Sequence, residues 1–142
     1  MQKVFLITSE SRNLARVRDE LRPFLQKAGF SPEVEERILV AVGEGCTNAI
    51  RHAYQEKTDR KIRVSLQDQK EKVIFRIRDY GRKIDLAKVK TPELPPKKGG
   101  GLGIYFMKTL MDEVEYNTTH PVGNELILTK YKEKGASGEN SR

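Results

Sequence analysis

The apolar positions change their period several times along the chain. KVFLIT at 3–8 is a short apolar run bounded by polar residues and predicts a strand. Leu14, Val17, Leu21, Phe24 and Leu25 recur at the spacing of one helix face. They predict a helix over about 12–28, capped by Ser11 or Asn13 and ended by Gly29. Pro23 inside that stretch predicts a kink or a break. Ser31, Pro32 and Glu33 open a second helix that runs to about Tyr54. Ile62, Val64 and Leu66, then Val73, Phe75 and Ile77, alternate with polar neighbours. These two runs, 61–67 and 72–79, are joined by polar DQKE and predict an antiparallel hairpin.

Residues 80–101 hold Pro92, Pro95, Pro96 and a glycine run, and predict a long irregular loop of the kind that serves as a functional flap. Helical periodicity returns over 102–112. Residues 113–118 and 124–131 then predict a last hairpin that turns near Pro121–Gly123. The order β-α-α-β-β-α-β-β predicts an α/β protein. Its architecture is expected to be a two-layer α/β sandwich, a mixed, mostly antiparallel sheet with the helices on one face. One domain over 1–131 is expected, followed by a polar tail over 132–142 with no fixed structure.

Composition narrows the chemistry. Among 142 residues a single cysteine, Cys46, excludes an intramolecular disulfide framework and a cysteine-built zinc site. Two histidines argue against a transition-metal site made by protein alone. No apolar run reaches the roughly 20 residues of a membrane span. The opening MQKVFLITSE is unlike a signal peptide, so a cytoplasmic protein is expected. Lys and Arg number 27 against 20 Asp and Glu, a formal charge of +7. That balance suits a nucleic-acid binder, a polyphosphate binder, a protein that docks on an acidic partner, or a merely solvated surface. The basic residues are spread along the chain without interleaved stacking aromatics, so nucleic acid is not the expected partner.

The second helix carries the most specific pattern. With Glu44 set at zero and about 100° per residue, Asn48 falls near 40° and Arg51 near −20°. Ile38, Val42, Cys46, Ala49, Ile50 and Ala53 occupy the other side. Glu44 and Asn48 are therefore expected one turn apart, away from the core. A wet helix face is the plain alternative, but Val40 and Ala41 fall on the same side and suggest a cover. A carboxamide oxygen suits Mg²⁺, and a carboxylate beside that ion can orient or deprotonate a nucleophile. Asp79, at the end of a strand and two residues before Gly81, can accept from an exocyclic amine such as adenine N6, or can be an ordinary turn. Gly99, Gly101 and Gly103 precede a helix and can cradle an anion with backbone N–H groups, Lys97 and Lys98 adding charge. The run is neither a Walker loop nor a Rossmann turn. Thr129 lies near the end of the last strand, where its hydroxyl could share a water with a base, or where β propensity alone would put it.

Together these pieces carry a resemblance. E-G-C-T-N-A-I-R-H-A-Y (44–54), D-Y-G-R-K-I-D (79–85), G-G-G-L-G-I-Y-F-M-K (99–108) and L-I-L-T-K (126–130) resemble the N, G1, G2 and G3 boxes of the GHKL ATPase superfamily. The wording of the first box and L-M-D-E-V-E-Y (110–116) are closer to its stand-alone anti-sigma factor serine kinases and related switch kinases. The resemblance implies the Bergerat ATP-binding fold. It implies that Glu44 is the catalytic base, that Asn48 binds Mg²⁺, and that Asp79 bonds adenine with Gly81 leaving room. It further implies that Gly99, Gly101 and Gly103 form a lid over the phosphates and that Thr129 supports the adenine pocket. Lys83 departs from the pattern, standing where its second glycine would be.

Function follows as expectation. The resemblance implies an ATP- and Mg²⁺-dependent protein-serine/threonine kinase acting in transcription regulation. Its substrate would be a small STAS-like anti-sigma-factor antagonist, and it could also sequester a sigma factor and form a homodimer. The rival readings are a nucleotide-binding switch that works by docking with little catalysis, and a charge-driven nucleic-acid binder.

Overall fold

The computed structural model describes residues 2–85 and 103–132. Strand β1 (Gln2–Thr8) is followed by helices α1 (Asn13–Lys27) and α2 (Pro32–Asn48), the latter continued by one π-helical turn over Ala49–Ala53. Strands β2 (Lys61–Asp68) and β3 (Lys72–Asp79), helix α3 (Ile104–Leu110), and strands β4 (Glu113–Asn117) and β5 (Asn124–Tyr131) complete the order. The five strands form one sheet in the order β1-β2-β3-β5-β4. Every described pairing is antiparallel, in keeping with the mostly antiparallel sheet expected, and no parallel pair occurs among the described strands. Strand β5 inserts between β3 and β4 and runs antiparallel to both.

The alternation read in the sequence sets the faces. Ile62, Val64 and Leu66 of β2, Val73, Phe75 and Ile77 of β3, and Leu126 and Leu128 of β5 are buried beneath the helices. Helix α1 contributes Val17, Leu21 and Leu25, and α2 contributes Ile38, Leu39, Val42 and Cys46. Each such side chain gains about 1.5–3 kcal/mol on leaving water. Val4 and Leu6 of β1 are exposed. They belong to the opposite parity from Phe5 and Ile7, which are in the core.

Ser31 caps α2 as its sequence predicts, accepting from the Val34 N–H at 3.3 Å, with Pro32 in the first turn. Helix α1 differs from expectation twice. No side chain caps it, because the Asn13 amide instead donates to the Thr8 carbonyl and hydroxyl. Pro23 neither breaks nor ends it. Pro23 and Asp19, one turn earlier, both lie on the exposed side, where water can take the carbonyl that the missing N–H leaves over. Helix α3 is shorter than its predicted span, and most of the predicted long loop lies outside the described residues. So does the tail beyond Lys132, whose own N–H bonds the Glu71 carbonyl at 2.9 Å.

Candidate functional site

The C-terminal end of α2 carries the first half of the site. Glu44 is half-buried, and burial pushes its carboxyl above the ordinary carboxylate range, opposed by the charge of Arg51. Asn48 is only 2% exposed and Ala41 is fully buried, whereas Val40 is 46% exposed. Asn48 and Ala41 are thus roofed over, as the suggested cover requires, while Val40 stays outside it. Part of that cover is β4, since the Asn48 amide donates to the Tyr116 hydroxyl at 3.4 Å. Tyr116 faces the helices beside Asn48, and burial raises its phenol well above the ordinary value.

The rest of the cover is the start of α3. Gly103 caps this helix in the left-handed region, at φ +68. A Cβ there would lie 2.5 Å from Glu44 Oε2 and 2.9 Å from its Cγ. The segment entering α3 thus touches the Glu44 carboxylate, which the sequence had linked to it only by resemblance. Gly99 and Gly101, with Lys97 and Lys98, lie outside the described residues.

Directly after Asn48 the helix widens. The Tyr54 N–H bonds the Ala49 carbonyl at 2.9 Å, a five-residue step where a continuous α-helix was expected. The π turn turns two carbonyls toward the end of β3. Arg82 takes both, with Nε on the His52 oxygen at 2.8 Å and its N–H on that of Ala53 at 2.9 Å. Tyr54 adds a further tie, accepting from the Tyr80 N–H at 2.7 Å while donating to the Lys61 carbonyl at 2.6 Å. What requires glycine at 81 is this packing. A Cβ would run into the Ala53 carbonyl and sit 2.9 Å from Tyr54 Cδ1, so the room Gly81 gives is used by protein backbone.

Asp79 is buried at the end of β3, on the helix side of the sheet. Burial raises its carboxyl pKa, offset by the Gly81 N–H, by Asn124 and by the charge of Arg78. Oδ1 accepts from the Gly81 N–H at 3.0 Å and from Asn124 Nδ2 at 3.0 Å. Asn124 is the residue that β5 places opposite Asp79, and it was missed in the sequence. Thr129 is not brought to this site. It pairs with Ile74 and Glu113, five residues further along β5, or about 17 Å at roughly 3.4 Å per residue. Strand alternation also points it to the face away from the helices. Register decides this, and register was not visible from a single strand's composition. Tyr116 and Tyr54 likewise gave no signal beyond their place in an apolar pattern.

The structure thus joins a carboxylate and an amide on one helix, a glycine-led segment against that carboxylate, and a buried acid at the end of a neighbouring strand. The family model described as the histidine kinase-like ATPase domain matches residues 7–130. The chain belongs to the histidine kinase-like ATPase family.

Within that family its relatives include the serine-protein kinase RsbW of Listeria innocua, 32% identical over 124 residues, covering 82% of this chain and 78% of that protein. RsbW of Oceanobacillus iheyensis is 34% identical over 113 residues, covering 74% and 70%. RsbW of Bacillus velezensis is 30% identical over 134 residues, covering 88% and 82%. The crystal structure of the RsbU and RsbW domains of Rv1364c from Mycobacterium tuberculosis superposes with a TM-score of 0.65 at 17% identity. It covers 92% of this chain, which spans 31% of that longer one, and the likeness is one of fold. The histidine kinase-like ATPase domain implies ATP binding, and the relatives' activity supports a kinase. Among the described residues no helix is long and apolar enough to cross a membrane.

Proposed function

We propose that this protein is an ATP-dependent protein-serine/threonine kinase of the anti-sigma factor type. Its substrate would be a small STAS-like antagonist, and its docking partner a sigma factor. The observation that carries the reading is the contact of Gly103 with Glu44, one helical turn from buried Asn48. Phosphoryl transfer asks a protein mainly for positioning and charge neutralisation, and this corner can supply both.

Glu44 is the group suited to take the proton of an incoming serine hydroxyl. Its carboxyl is held above the usual range by burial, which makes it a stronger base once ionised. Asn48 offers a hard carboxamide oxygen. Among the described residues no group of three His, Cys, Asp or Glu could hold a metal by itself. That donor set fits Mg²⁺, an ion that keeps few protein ligands and takes the rest from water and phosphate. When bound, Mg²⁺ supplies charge neutralisation at the phosphates. Asp79 is the acceptor for the exocyclic amine of adenine, and Gly99, Gly101 and Gly103 are the glycines assigned to the phosphates.

The test is to incubate the protein with Mg-ATP and a candidate STAS-like antagonist, then measure the antagonist's mass. One added phosphate is expected with the wild type and none with Glu44→Ala, which should still bind ATP within a few-fold. Binding of nucleotide without any mass gain would favour a docking switch. Transfer by Glu44→Ala at near wild-type rate would remove Glu44 from its role.

A further inference from the structure

We infer that Asn124 is a positioning residue that fixes which nucleobase the site accepts. The inference rests on the reading of Asp79 as the base-recognising acceptor.

The Asn124 side chain has two N–H donors and one carbonyl oxygen, and the structure engages both ends. Nδ2 donates to Asp79 Oδ1 at 3.0 Å and to the Arg82 carbonyl at 2.9 Å. Oδ1 accepts from the Ile84 N–H at 2.9 Å. The amide can sit only one way round. Flipping it would set its oxygen against a carboxylate and a carbonyl, and its amine against the Ile84 N–H. Buried polar groups left so mispaired are costly.

This lock has a consequence at Asp79. Oδ1 already takes the Gly81 N–H and the Asn124 amide. Oδ2 has only the 3.3 Å approach of the same Asn124 nitrogen. Among the described residues, Oδ2 is therefore the oxygen with acceptor capacity to spare. A carboxylate held in this orientation asks its ligand for an N–H. A 6-amino purine provides one, whereas a 6-oxo purine presents an oxygen that the carboxylate repels. Asn124 makes the demand rigid by stopping the carboxylate from turning. The same amide bonds Arg82 and Ile84, so the recognition acid and the chain leaving β3 are held by one side chain. With its donors used inside the protein, Asn124 does not itself touch the base, and it acts through Asp79.

The experiment compares ATP and GTP binding to the full-length protein, in the presence of Mg²⁺, for wild type, Asn124→Asp and Asn124→Thr. Wild type should favour ATP by at least about a hundredfold, as sites built to hydrogen-bond a substrate N–H do. Asn124→Asp sets two carboxyls together, which share a proton. That proton can be offered to an oxo group, so the ATP-over-GTP ratio should fall at least about tenfold, with the change in affinity rather than in the transfer rate of bound nucleotide. Asn124→Thr keeps one donor for Asp79 and gives up the Arg82 and Ile84 bonds, so it should keep most of the preference while binding both nucleotides more weakly. If Asn124→Asp does not fold, Asn124→Leu, which removes every donor, is expected to lose the preference in its place. A folded Asp or Leu variant whose ratio matches wild type overturns the inference, as does an equal loss of both nucleotides in all variants. A wild type that binds neither nucleotide overturns instead the reading of Asp79 as a base acceptor.

Discussion

The two ends of α2 are built by opposite rules. At the Ser31 end the cap and the buried carboxylate find partners within the protein. The cap hydroxyl takes the Val34 N–H, and the buried Glu35 carboxylate meets Arg22 Nη1 at 2.6 Å, with Glu36 on the same guanidinium. At the other end Glu44 and Asn48 are drawn under α3 and β4, Glu44 with its carboxyl displaced by burial. There the α-helical spacing gives way to a π turn. The inner face, Ile38, Val42 and Cys46, is the same apolar stripe throughout. Packing therefore does not separate the ends. They differ in what burial does to the carboxylates: Glu35 is met directly by a guanidinium, whereas the Glu44 carboxyl is displaced upward by burial. A displaced carboxyl set beside other polar groups marks a candidate functional site.

Breaking the comparison at the site end should have the largest effect. Glu44→Gln is expected to lower phosphoryl transfer by about 10²–10⁴-fold. Wild-type transfer should fall as pH drops through the Glu44 pKa, which lies above the usual 4.5, because protonation removes the base. The variant's residual rate should lack that acid limb in a pH–rate profile, and an unchanged limb would assign it to another group. Next comes the shared stripe. Ile38→Ala should cost about 2–5 kcal/mol in urea unfolding while leaving nucleotide affinity of the folded fraction unaltered. The smallest effect belongs to the capped end. Ser31→Ala should cost about 1 kcal/mol, seen as a lower urea midpoint with an unchanged slope and unchanged transfer. A change in transfer on Ser31→Ala would mean that the two ends are coupled after all.

Much of this arrangement could be read before any coordinates. The alternation in β2 and β3, the Ser31-Pro32 start of α2 and the placing of Glu44 were all local signals, written within one element. What escaped the sequence is non-local. Asn124 reaches Asp79 only because β5 pairs with β3 in one register, and the same register carries Thr129 away. Val40 and Ala41 suggest a cover over the Asn48 side but not its identity: β4 brings Tyr116 to Asn48 from 68 residues further on, which no wheel drawn on α2 can contain. The π turn AIRHA itself holds no Pro or Gly to announce it, and the bonds that accompany it, from Arg82 and Tyr80, come from residues far along the chain.

Cys46 is wholly enclosed on the inner side of α2, with its thiol pushed up to about 12, and it is the chain's one cysteine. The native protein is accordingly expected to be silent toward maleimides and other thiol reagents at neutral pH. A thiol introduced on the exposed side of α3, as in Tyr105→Cys, would then be the one group to take up a fluorophore, and its emission would follow that helix without any need to strip the background first.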